Sequence, residues 1–291
     1  MLGFNGGLIG IPRPTSASSS LPGMWTSREQ EVAIRNFQWT GSGFLGTGGS
    51  VTEPTISGIR YRVHTFNATG TLTVTSPGII EYLVVAGGGG AGGRYEGGGG
   101  GAGGLKTDSV LIQSTQTITV GAKGIGGRNG VSSTNGGNSS IGSIIVSTGG
   151  GRGAQDGLPA TSGGSGGGGS WTQNPAQLVG GAGIDGEGFA GGTGSVSPAL
   201  SGAGGGGATS VGANAATGVS QPSGGSGYVS SINGTPTPYS TGGSGALRSA
   251  NITGTNAVAN TGNGGNGASS GSDTGIGGDG GSGVVIIRYP I

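Results

Sequence analysis

Few residues in this chain have the type and spacing that catalysis requires. A nucleophilic triad or a general base would need histidine, and His64 is the only one. It alternates with Arg60 and Arg62 in IRYRVHTF, which predicts a solvated strand face rather than a catalytic pocket. Cysteine is absent, so thiolate metal sites and disulfides are excluded. The eleven acidic residues are scattered without calcium-loop spacing. No cofactor, metal or enzymatic activity is expected. Four Asn-x-Ser/Thr triplets, at Asn67, Asn138, Asn233 and Asn251, are no more than such a composition produces by chance. One nucleotide-like pattern occurs, IIEYLVVAGGGGAGG (79–93), where glycines follow an apolar strand. A dinucleotide fingerprint must then open a helix, but more glycine follows here, at a cost of about 1 kcal/mol per residue relative to alanine in a helix. The remaining candidates are rare aromatics in small-residue stretches: Trp171 in GSWTQNP, Phe189 in GEGFAGG, Tyr228 in GSGYVSS and Tyr239 in TPYST. They are read as candidate receptor contacts, since aromatics are enriched where sugar or protein surfaces are met.

Glycine supplies 79 of 291 residues, and charged residues only 8%. A net charge of +1 leaves no basic stripe for nucleic acid and no polybasic membrane anchor. No apolar run reaches 18 residues, so membrane insertion is not expected. The glycine runs break the every-third-residue rule of collagen. Apolar β-branched runs punctuate them, which argues against general disorder.

Residues 1–40 read as an apolar arm followed by one short helix at 26–38. Thr26 and Glu29 have capping-box spacing. Leu2, Phe4, Leu8, Ile9, Trp25, Phe37 and Trp39 are the candidate docking residues. Residues 41–57, rich in Gly, Ser and Thr, read as a linker. From 58 the period becomes two. Strands are predicted at 59–66, 71–75, 79–86, 105–113, 117–120, 141–147 and 284–289. The third is apolar on both faces and therefore central.

Glycine runs fill the spaces between these strands. Glycine without Cβ can form extended threefold helices with about 3.1 Å rise per residue and no internal hydrogen bonds. Every N–H and C=O then points outward and needs a partner when buried. Neighbouring glycine helices can supply those partners. Ordering backbone costs about 1–2 kcal/mol per residue, and a hydrogen bond returns about 0.5–1.5 kcal/mol net. The rods therefore need an anchor, which the strands provide. The expected fold of 58–291 is mainly β: a small antiparallel β-sandwich anchoring a bundle of polyglycine-II-like helices.

The combination EYLVVAGGGG (81–90), GNSSIGS (137–143) and GGSGVVIIRYP (281–290) resembles the glycine-rich domain of tail fibres and related virion proteins of tailed bacteriophages, cyanophages especially. MLGFNGGLIG with LPGMWTSREQE (21–31) is similar to the N-terminal segment of short virion proteins of such phages. The resemblance implies assembly in the host cytoplasm and attachment to other virion proteins through residues 1–40. It also implies homo-oligomerisation, with a trimer favoured, and presentation of tip loops to a host polysaccharide or outer-membrane protein. The alternative is a purely structural baseplate, neck or capsid component without receptor binding.

Overall fold

The computed structural model describes residues 43–155, 157–171, 174–196, 201–216, 221–247, 252–269 and 274–291. The predicted arm, the helix at 26–38 and the seven docking candidates Leu2, Phe4, Leu8, Ile9, Trp25, Phe37 and Trp39 lie outside the described residues.

Two antiparallel sheets form the anchor. One has the order β1 (Leu45–Thr47), β5 (Gly70–Ser76), β8 (Gln116–Thr119), β9 (Ser139–Ile141), β10 (Ile145–Ser147). The other has the order β2 (Ser50–Thr52), β4 (Ile59–Phe66), β13 (Val284–Pro290), β6 (Gly78–Val85), β7 (Leu105–Ile112), with β3 (Thr55–Ile56) also on β4. Alternation explains the sandwich. Leu72, Ile118 and Ile141 of the first sheet pack against Phe66, Ile80, Tyr82, Val84, Val285 and Ile287 of the second. The other face of the second sheet carries Tyr61, Val63, Leu83, Val85 and Ile286. The hairpin β11 (Tyr228–Ser230) and β12 (Thr237–Tyr239) covers it with Ile232 and Tyr239. Strands β6 and β13 are thus buried on both faces, which is why they read as continuous apolar runs.

Three expectations change. Residues 45–56 are strands paired to β4 and β5, not a linker. Here Gly48 and Gly49 turn the chain with positive φ, and Phe44 is buried in the core. The predicted strand 141–147 is a hairpin, β9–β10, reversing at Gly142 with φ +54. His64 is fully buried rather than solvated. Its Nδ1–H donates to the Gly48 carbonyl at 2.7 Å, and the Tyr289 hydroxyl, 3.2 Å away, donates to Nε2. The turn before β2 closes over this strand face, so alternation alone misassigned it.

Beyond the sandwich the glycine runs form a lattice with a threefold register. Residues 86, 89 and 92 donate to 104, 101 and 98; residues 87 and 90 to 137 and 134; residues 88, 91 and 94 to 281, 278 and 275. One partner rod per face, advancing three residues at a time, is the signature of a three-residue-per-turn helix without internal bonds. Rod 97–104 occupies the interior. Its N–H groups donate to rods 262–268, 148–154 and 203–206, and its carbonyls accept from rods 86–92, 165–168 and 243–246. Six neighbours follow from the geometry: three faces, each with one donor row and one acceptor row.

Candidate functional site

The lattice has two ends, and their chemistry differs. Rod 86–94 leaves the sheet from β6, and rod 97–104 returns to β7. Hydrogen-bond register assigns each other rod a direction relative to these two. Eight residues at about 3.1 Å make a rod about 25 Å long. The distal end therefore stands about 25 Å beyond the sandwich. It gathers Arg94–Glu96, Arg128–Val131, Gln155–Leu158, Trp171, the single-turn helix α1 (Pro175–Leu178) and the bridges Ser201↔Leu247 and Ile252↔Ser269.

These distal segments are tied together. Glu96 pairs with Ser269, and Trp171 N–H donates to the Glu96 carbonyl at 3.2 Å. Asn174 caps α1 through its side chain, with Pro175 opening the turn. Arg94 and Tyr95 have φ of +60° and +40°, a conformation uncommon for residues with side chains. Sequence reading missed this pair as surface candidates. The signal was present: RYE is the one charged and aromatic triplet between the two longest early glycine runs.

The other three aromatics lie at the sandwich end. Phe189 and Tyr228 are 45% and 37% exposed and line one groove beside β7. Tyr239 is 4% exposed and belongs to the core under the hairpin. It is thus removed from the set of receptor contacts: its side chain is buried in the same core cluster as Tyr61 and Ile286 of the sheet. Of the four candidates, the structure places Trp171 at the distal end, brings Phe189 and Tyr228 together, and buries Tyr239.

Side chains complete the lattice where glycine rows end at the perimeter. Asn263 and Asn266, one turn apart, accept from Thr241 N–H and Ser244 N–H at 2.8 Å. Asn135 and Asn138 do the same for Arg152 and Gly149. The amide carbonyl stands in for a missing rod carbonyl. Among the described residues no group of three His, Asp or Glu side chains could hold a metal ion.

A family model described as a glycine-rich domain matches residues 65–290, most of the chain. The chain belongs to the glycine-rich domain family. The matched span starts inside β4 and ends with β13, so it takes in the strands that anchor the rods as well as the rods themselves. Among curated proteins, none matches this glycine-rich chain.

Proposed function

We propose that this protein is a non-enzymatic virion component of a tailed bacteriophage, a tail fibre or tail-associated fibre, whose glycine-rich domain presents a host-recognition surface. The observation that carries this reading is polarity. The described chain enters at the base, where Gly78 abuts Phe44, and one set of loop ends, from Arg94–Glu96 to the Ile252↔Ser269 bridge, gathers at the opposite pole. Strand β6, eight residues at about 3.3 Å, adds about 26 Å to the rod length, so base and tip stand about 50 Å apart. A rigid spacer of that kind suits presentation. The lattice asks only for small residues and places few demands on the tip loops.

The base suits attachment. Ile79 and Leu111, paired across β6 and β7, are 60% and 52% exposed, and Ile291, the residue after β13, is exposed too. Residues 1–40 would join this end to other virion proteins, and the apolar row would serve contacts between copies in a homo-oligomer, a trimer for preference.

Two measurements test this. Antibody against the full chain should label purified virions. The purified full chain should adsorb saturably to host cells and compete with virions. Labelling without adsorption would leave a purely structural component. Absence from the particle would overturn the reading.

A further inference from the structure

A groove of about 800 Å³ lies at the sandwich end of the lattice, between β7 and the turn at 184–189. That volume lies within the range of small-ligand sites. We infer that this groove is a second contact site, which takes a neutral saccharide ring of a surface polymer. The inference rests on the surface-recognition reading but assigns a place and a ligand class that the distal loops do not supply.

The walls combine two kinds of group. Phe189 and Tyr228 present aromatic surface, and such rings suit the C–H faces of a sugar while Tyr228 carries a hydroxyl. Asp108, on β7, and Asp185, in the turn, add carboxylates to the same lining. One Asp108 oxygen already accepts from Ser109 N–H at 2.7 Å, and the other is left for ligand hydroxyls. Ionised carboxylates accept without donating, which matches a ring of hydroxyl donors. Main-chain groups add to this. Leu105 N–H points away from β6 and donates to the Glu187 carbonyl. By strand alternation the N–H and C=O of Thr107 point the same way, toward the groove.

Charge selects the class of polymer. Among the described residues the groove contains Asp108, Asp185 and Glu187 against Lys106, three acidic side chains to one basic. Lys106 Nζ is already held by Glu187 at 2.9 Å and by the Val146 carbonyl at 2.7 Å. An anionic polysaccharide would meet repulsion with no uncommitted cation. Addition of a peptide strand to β7 is disfavoured too, because charged residues on an edge oppose pairing and the Glu187 carbonyl occupies the first donor. The turn at 184–189 is also tied down. Glu187 is buried, and its second oxygen accepts from Thr148 N–H at 2.7 Å, so little ordering is left for a ligand to impose.

The test is affinity electrophoresis of the full chain through gels containing dextran, yeast mannan or polygalacturonate, with cell adsorption measured in parallel. Retardation is expected in at least one neutral polymer and not in polygalacturonate. Phe189→Ala and Tyr228→Ala should each weaken it at least tenfold, and Asp185→Asn several-fold, with the fold retained by circular dichroism because none of the three side chains belongs to the buried core. Retardation in no neutral polymer, retardation insensitive to these variants, or preference for polygalacturonate would overturn the inference. The two proposals fail differently. Cell adsorption that persists in groove variants, with no polysaccharide retardation, sinks the groove alone. Retardation without any adsorption sinks the recognition reading alone.

Discussion

Placing one methyl group inside the lattice tests the packing directly. Gly100 lies in the interior rod, and a Cβ built on it would sit 2.1 Å from the Gly89 carbonyl oxygen and 3.1 Å from Gly265 N. Ordinary contact begins near 3.4 Å, so the rods must part by about 1.3 Å at this point. The neighbouring bond from Gly89 N–H to the Gly101 carbonyl is 2.8 Å. Widened by that amount it would exceed about 4 Å and be lost. The bond from Gly265 N–H to the Gly89 carbonyl, 3.1 Å long, crosses the same space. Overpacking costs about 1–3 kcal/mol, and two lost bonds add about 0.5–1.5 kcal/mol each. Gly100→Ala should thus destabilise the domain by about 2–6 kcal/mol, a large share of the roughly 5–15 kcal/mol of a typical protein. The control is Gly70→Ala in β5. There the nearest atoms to a Cβ are 3.6 Å away on the Phe66 ring, and φ is not in the left-handed region. It should change stability by no more than about 0.5–1 kcal/mol. Denaturant unfolding of the full chain, followed by circular dichroism, compares the two midpoints. Equal midpoints would refute a close-packed glycine lattice, whatever the fold of the sandwich.

Other consequences concern the perimeter and the anchor. Asn263→Ala strips the partner from Thr241 N–H, which is partly buried, and should cost about 1–3 kcal/mol. Asn263→Asp keeps the acceptor and should recover most of it; the same unfolding assay decides. Tyr239→Ala removes a buried ring beneath the hairpin and should cost about 3–5 kcal/mol by analogy with large aromatic truncations. Retention of wild-type stability would mean that the hairpin does not cover the sheet. His64 gives a pH dependence. Burial lowers its pKa below the ordinary 6.5, so the unfolded chain takes up the proton first as pH falls. The contribution of neutral His64 is complete above about 6.5 and is lost as pH falls through that value toward the folded-state pKa. Denaturant midpoints should decline from pH 8 to pH 5, and His64→Gln should flatten that part of the profile. An unchanged slope in the variant would refute it.

The strands were legible because period two and apolar runs are local properties. IIEYLVVA and VVIIRYP announce central strands by themselves, and β4 to β8 fall within two residues of their expected bounds. The rods were legible by elimination: so much glycine can be ordered only if its N–H and C=O groups find partners between chains. The amino-acid sequence thus determined the composition of both halves, strand anchor and glycine rods, and, having no cysteine, excluded thiolate chemistry. Residues 45–56 escaped because three short strands among glycines look like a linker until β4 and β5 offer edges to pair with. His64 and Tyr239 escaped because what covers a face is a non-local fact: a turn sixteen residues away for the first, and the closing of β11–β12 over the sheet for the second. Tertiary structure alone decided which rods are neighbours, since every glycine row bonds equally well to any other. It also decided that Phe189 and Tyr228, thirty-nine positions apart in the sequence, meet in one groove while Trp171 lies at the far pole.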